Sequence, residues 1–336
     1  MTPRLQVEDL SVQFNTDEGP VLAVDRMSFT VEPREVLALV GESGCGKSVT
    51  SMSILRLLPR LASVTGSIKL EGQELTSMSE ASIREIRGRD ISMIFQEPMT
   101  SLNPSFTVGF QIGEVLRRHE GMTRQQSRVR AMELLELIRM PAPKARLREY
   151  PHQLSGGMRQ RVMIAMAVAC SPKVLIADEP TTALDVTIQA QILDILRDLR
   201  QEVGTSILLI THDLGVVADI ADRVEIMYAG HQIESGLVDD LFANPQHPYT
   251  IGLLGAVPRP DLLGQNGSRR LQEIPGLVPV LRGRPNSCVF APRCSRATSV
   301  CGESMPPLEQ AQPGQHAACF HAGKSPTVSV KKGLQR

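Results

Sequence analysis

The 336-residue chain is electrically neutral, with 36 basic and 36 acidic side chains, and its 42% apolar and 21% charged content is that of a globular protein, not a disordered one. Neutrality excludes a global field that would recruit nucleic acid or an anionic membrane, and an aromatic content of 3% without tryptophan argues against a stacking surface for single strands or a sugar groove. The balance hides an asymmetry: the residues after Asn244 carry 11 basic against 4 acidic side chains and 12 of the 23 prolines, so a boundary is expected near residue 245.

No apolar run approaches the roughly 18 residues of a membrane span. The opening Met-Thr-Pro-Arg-Leu-Gln lacks an apolar signal core, so the chain is expected in the cytosol. Six cysteines in that reducing compartment read as metal ligands or free thiols before disulfides.

In chain order, Leu10, Val12 and Phe14 alternate with polar residues, as do Met27, Phe29 and Val31, which predicts two half-buried strands. Val36-Leu-Ala-Leu-Val40 is a continuous apolar run that fits a central parallel strand. From about 98 to 170 no strand is evident: Thr123–Met140 has helical spacing through Val129, Met132 and Leu135, and Met158–Cys170 is a further helix. This stretch is expected to form an inserted helical subdomain. Val174–Ala177 and Ile207–Ile210 are again apolar runs of strand length, joined by a helix whose face is Ile188, Ile192, Ile195 and Leu199. The rhythm predicts an α/β fold with a mostly parallel core sheet.

Directly after the Val36–Val40 run comes Gly41-Glu42-Ser43-Gly44-Cys45-Gly46-Lys47-Ser48, which matches the P-loop pattern and is followed by Val49 and a helix-compatible segment. Its glycines let backbone N–H groups wrap phosphates, Lys47 reaches the β- and γ-phosphates, and the Ser48 hydroxyl is a ligand for Mg²⁺. Cys45, in a loop of inward-pointing N–H groups, is expected to be a reactive thiol of depressed pKa. The Val174–Ala177 strand ends in Asp178 and Glu179, the first suited to the Mg²⁺ shell and the second to polarising an attacking water. Leu154-Ser155-Gly156-Gly157-Met158 opens a helix and offers a second anion site, useful only if it serves a nucleotide held by another subunit.

Taken together these motifs resemble the ATP-binding-cassette (ABC) ATPases over roughly residues 4 to 250. The resemblance implies a P-loop NTPase fold with a mostly parallel core sheet, an antiparallel β subdomain and an inserted helical subdomain. Leu154–Met158, with Ser155-Gly156-Gly157 at its centre, then corresponds to the signature motif, Gln96 to the Q-loop and an Mg²⁺ ligand, Ala183-Leu184-Asp185 to the D-loop, His212 to the switch histidine, and Phe14 to the aromatic that stacks on adenine. Phe14 has the alternative of simple core packing. The departure from the family is Cys45, where a small hydroxyl or Ala is usual.

Glu97-Pro-Met-Thr-Ser-Leu-Asn-Pro104, Asn244-Pro-Gln-His-Pro-Tyr-Thr250, Glu273-Ile-Pro-Gly276 and Cys288-Val-Phe-Ala-Pro-Arg-Cys294 are similar to the D-type subunit of the dipeptide/oligopeptide importer branch. That resemblance implies two membrane-spanning permease subunits and a second ABC ATPase, a paralogous F-type subunit, closing head to tail over two ATP. It also implies an extracytoplasmic solute-binding protein acting indirectly, a place on the cytoplasmic face of the inner membrane, and a cargo of peptide, nickel or another small solute. The alternative is a soluble ABC ATPase acting on nucleic acid or ribosomes. Residues 1–250 are expected to form the nucleotide-binding domain, 251–322 a Cys-rich domain and 323–336 a flexible tail.

Cys288, Cys294, Cys301 and Cys319 lie within 32 residues poor in apolar material, a segment that needs a staple. The paired C-x₂₋₄-C spacing of zinc sites is absent. Three readings stand: a [4Fe–4S] cluster, which some D-type subunits carry at matching cysteines, with Arg293 and Arg296 offsetting its charge; zinc, with His316 or His321 contributing; or unliganded thiols. Cys170 reads as a buried small apolar residue.

Overall fold

Val36–Val40 is buried at all five positions, as its unbroken apolar run requires. The structure, a computed structural model, describes residues 2–96, 101–182, 184–257 and 274–323. The chain divides into two compact units, one formed by residues 1–6, 30–36 and 69–210, the other by 7–29, 37–68 and 211–336. The 324–336 tail, Ala183, Glu273 and residues 97–100 of the segment after Gln96 lie outside the described residues.

In the first unit the strands Ile91–Ile94, Val174–Asp178 and Ser206–Thr211 run parallel, with Ile94 opposite Ala177 and Ala177 opposite Leu209. All three are buried throughout, which explains why none alternates. Among the described residues no strand lies between Ile94 and Val174; helices Val108–Glu120, Arg124–Leu137, Pro143–Arg146 and Gly156–Ala167 fill the stretch instead. Thr123 caps the second of these, accepting from the Gln126 N–H while the Gln126 side chain returns to the Thr123 N–H, a reciprocal capping box. Of the face expected through Val129, Met132 and Leu135, Leu135 is buried and Met132 half-buried, and only Val129 is corrected. Val129 is 57% exposed, and the buried side is Ser127, Ala131, Leu134 and Leu135, whose i, i+4, i+7, i+8 spacing keeps one stripe inward. The helix Val186–Asp198 buries Ile192, Ile195 and Leu196 and runs into one π-turn at Leu199–Val203.

In the second unit Val36–Val40 pairs parallel with Arg223–Tyr228, which pairs antiparallel with His231–Leu237. The tail continues that sheet: Gln315–Ala317 pairs with His231–Leu237, Glu234 standing opposite Ala317, and Glu309–Gln312 adds the next strand. Leu5–Thr16 lies between Gly19–Val31 and Ala62–Leu70 in a separate sheet. The composition boundary near 245 therefore falls inside a compact unit. Glu234 explains the join. Its fully buried carboxylate accepts from the Gln246 and His247 N–H groups at 2.6 and 3.0 Å and from the Gln315 side-chain amide at 2.8 Å. One acid thus ties a sheet strand, the 244–250 segment and the tail hairpin together, and burial raises its pKa. No helix among the described residues is long and apolar enough to cross a membrane.

Candidate functional site

The P-loop leaves its strand at Gly41, where an added Cβ would collide with the Met227 carbonyl, and ends at Gly46, whose φ of +96° is open to glycine and strained for other residues. Gly46 is also the N-cap of helix Lys47–Ile54 and supplies no capping side chain. The turn therefore presents the positive end of a helix, the setting that favours anions. Lys47 is 5% exposed, and its ammonium donates to the carbonyls of Gly41 and Glu42 at 2.7 and 2.9 Å. Ser48 and Val49 are half-buried, while Ser43 and Gly44 are exposed.

Cys45 departs from expectation. Its side chain is fully buried and burial raises its pKa, because the loop turns the thiol inward toward Tyr249 and away from solvent. The backbone N–H of Glu42 is likewise committed, donating to the Tyr249 hydroxyl at 2.9 Å.

In the first unit Gln96 and Glu179 are brought into direct contact, the Gln96 amide donating to the Glu179 carboxylate at 3.0 Å. The Thr182 hydroxyl donates to the same oxygen at 2.9 Å. Glu179 holds a φ of +47°, a conformation non-glycine residues seldom take, with its N–H on the Ile210 carbonyl at 2.8 Å and the Thr182 N–H on its own carbonyl at 3.2 Å. The turn lifts the carboxylate out of the strand line, whereas Asp178, one residue earlier, is 3% exposed. Thr182 escaped the sequence reading; its signal is a hydroxyl three residues beyond the carboxylate in a Pro-containing turn.

The Ser155 hydroxyl caps helix Gly156–Ala167, accepting from the Met158 N–H at 3.4 Å. The two glycines differ in what they require. A Cβ on Gly157 would meet Ile188 Cγ2 at 2.9 Å, while a Cβ on Gly156 has no neighbour within 4 Å. Asp185 caps the following helix at the Ile188 N–H. His212, in the second unit, is exposed between strand Ser206–Thr211 and the helix capped by Asp213. Phe14 is half-buried on strand Leu5–Thr16.

The tail cysteines are all free thiols. Cys288, Cys294 and Cys319 have pKa values raised first by burial, and Cys319 also feels the other three electrostatically. Cys301 Sγ lies 3.6 Å from His321 Nε2. Among the described residues no group of three or more His, Cys, Asp or Glu is gathered closely enough to hold a metal ion. The Arg296 N–H donates to Cys294 Sγ at 3.4 Å and its charge acts on that thiol. Arg293 does not serve the cysteines as expected: its guanidinium is turned away and paired with Glu42 of the P-loop.

Comparison with known proteins agrees with these motifs. The family model described as ABC transporter matches residues 24–182, and that described as oligopeptide/dipeptide transporter, C-terminal region, matches residues 233–301. A probable peptide ABC transporter ATP-binding protein of Sinorhizobium fredii is 52% identical over 322 residues, 95% of each chain. A putative peptide import ATP-binding protein of Brucella abortus is 50% identical over 330 residues, 95% of this chain and 97% of its own. Among solved structures, a bacterial ABC transporter cassette seen as a dimer superposes with a TM-score of 0.63 at 25% identity, over 70% of this chain and 98% of its own. Cbio1 of Clostridium perfringens, part of an ABC transporter complex, gives 0.62 at 27% identity, over 72% and 92%. The chain belongs to the ABC transporter ATPases and carries the C-terminal region of their oligopeptide/dipeptide transporter members.

Proposed function

We propose that this chain is the ATP-hydrolysing subunit that powers import of di- or oligopeptides, or of a related small solute such as nickel. The observation that carries the reading is the Gln96–Glu179 contact, which holds a carboxylate where a Q-loop residue can sense it. The names of the close relatives supply the cargo class. In this reading Glu179 orients and polarises the attacking water, and Lys47 neutralises the β- and γ-phosphates. Phe14 stacks on adenine, and His212 acts as the switch histidine. Ser48, Asp178 and Gln96 offer hydroxyl, carboxylate and amide oxygens, a donor set suited to a hard cation, and would hold Mg²⁺. When bound, Mg²⁺ neutralises charge on the phosphates.

Ser155-Gly156-Gly157 serves the nucleotide held by a second cassette, a paralogous F-type ATPase. Two permease subunits on the cytoplasmic face of the inner membrane receive the motion, and an extracytoplasmic solute-binding protein delivers cargo. Nucleic acid has no part in this reading.

The four tail thiols hold a [4Fe–4S] cluster in the same reading, with one zinc ion as the alternative. A single zinc ion draws its thiolates to about 2.3 Å from one centre. Among the described residues the four thiols are not gathered into a group that could hold a metal ion, so the cluster rests on the resemblance of the cysteine pattern alone.

The test is co-purification with the permease subunits, then ATPase assay in vesicles with binding protein and a panel of peptides or Ni²⁺. Stimulation by loaded binding protein supports the reading. Hydrolysis indifferent to permeases and every cargo would overturn it.

A further inference from the structure

Glu42 occupies a position of the P-loop pattern that carries no sequence requirement, yet more restraints converge on it than on its neighbours. Its carboxylate is gripped bidentately by Arg293, Nη1 to Oε2 at 2.7 Å and Nη2 to Oε1 at 3.0 Å, across 251 positions of sequence. Its N–H donates to the Tyr249 hydroxyl at 2.9 Å, and its carbonyl accepts from Lys47 at 2.9 Å. Arg293 is itself immobilised. Its side chain is 6% exposed, Nε donates to the Pro275 carbonyl at 2.8 Å and Nη2 to the Ile274 carbonyl at 3.0 Å, and the guanidinium lies 5.6 Å over the Tyr228 ring. The turn bearing it, Ala291–Arg293, sits between Phe290 and Cys294. Phe290 packs with its ring centroid 5.2 Å from Tyr228 and 5.4 Å from Tyr249.

Two physical consequences follow. A phosphate-binding loop works through N–H groups fixed before the ligand arrives, and a bidentate pair with two further hydrogen bonds behind it fixes the loop's first turn. A carboxylate in such a loop also repels polyphosphate unless its charge is cancelled, and a nearly buried guanidinium cancels it at short range. Resting on the ATPase reading above, we propose that Arg293 is a positioning residue for the P-loop, through which the cysteine-bearing tail sets the loop's affinity for nucleotide.

The test is steady-state ATPase in the assembled transporter, with binding of a fluorescent ATP analogue as a second readout. Arg293→Gln should raise KM for Mg·ATP about 10-fold, the loss expected for one charge-assisted contact, with kcat within about twofold of wild type. Arg293→Lys, which keeps the charge without the fork, should fall between. Adding Glu42→Gln to Arg293→Gln should recover most of the affinity, since the repelling carboxylate is then gone. A residue needed only to fold the tail would show no such rescue. Should Arg293→Gln fail to fold, Glu42→Asp shortens the arm without touching the tail and should also raise KM. Unchanged KM in Arg293→Gln or Glu42→Asp, or no recovery in the double variant, overturns the proposal. Failure of the ATPase reading is recognised separately, by Glu179→Gln hydrolysing ATP at the wild-type rate.

Discussion

Gln96 and Glu179 lie just past the ends of neighbouring parallel strands: each is two residues beyond the register pair Ile94–Ala177, and their side chains meet at 3.0 Å. The ladder, not the loops, sets this contact. Because the register pair lies two residues back in each segment, the pairing of the strands brings the two side chains to one place.

Glu179→Gln should lower hydrolysis by about 10²–10⁴-fold while ATP binding survives, because the amide cannot act as base yet keeps the shape. Gln96→Ala should cost less, about 10-fold, since Thr182 still donates to the same oxygen. Single-turnover hydrolysis beside equilibrium ATP binding separates the two effects.

Gly157→Ala should lower stability by about 1–3 kcal/mol, as its methyl must displace Ile188 Cγ2. Gly156→Ala meets open space and should leave the melting temperature nearly unchanged. Adding Ile188→Ala to Gly157→Ala ought to recover part of the loss in denaturant unfolding. Equal melting shifts for the two glycine variants would refute the packing argument.

Cys45 should resist alkylation in the native protein and react only on unfolding, given its full burial and raised pKa. Mass-spectrometric mapping of maleimide adducts before and after denaturation reads this directly, and rapid native labelling at Cys45 would contradict it.

His247 is 2% exposed, accepts the Tyr249 N–H on Nδ1 at 3.1 Å, and burial lowers its pKa from 6.5 to about 3. Below pH 6.5 the unfolded chain takes up a proton that the folded one refuses, so His247 makes stability fall as pH drops from about 6.5 toward 3. Glu234, with a raised pKa, acts oppositely: its unfolded form releases a proton first, and stability falls as pH rises above 4.5. His247→Asn keeps an acceptor near Nδ1 without the titration. Urea unfolding at pH 7, 6 and 5 should show the variant's slope of stability against pH more negative than that of wild type by up to about 1.4 kcal/mol per pH unit, because the opposing Glu234 contribution is then left alone.

If the tail thiols hold the proposed cluster, anaerobically purified protein should be brown and contain about four iron per chain, and Cys294→Ser should remove the colour and open the tail to protease while nucleotide still binds. About one zinc per chain without iron would replace the cluster by a tetrahedral site. Should iron be found, its removal by a chelator is expected to raise KM for ATP more than it lowers kcat, since the Arg293 turn adjoins Cys294.

Where a backbone conformation or a burial pattern follows from local chemistry, the amino-acid sequence was enough. Gly41, Gly46 and Lys47 announce a phosphate loop because only glycine accepts those turns, and Val36–Val40 and Val174–Asp178 announce buried parallel strands because nothing in them is polar before the end. Asp178, Glu179 and Ser155 were legible for the same reason, each closing a strand or opening a helix. Contacts distant in sequence were not legible. Arg293 beside Cys294 reads as a cysteine partner until the fold carries it to Glu42, 251 positions away, and Cys45 reads as reactive until Tyr249 covers it. Val129 falls outside the buried stripe that keeps Leu135, because adjacent stripes of one helix can both carry apolar residues and only packing decides which is buried. The shift in charge near residue 245 marked a change of composition and not a break in the fold. A single buried carboxylate, Glu234, holds the segments on either side of that shift together, and pairings between residues so far apart in sequence are fixed by tertiary structure alone.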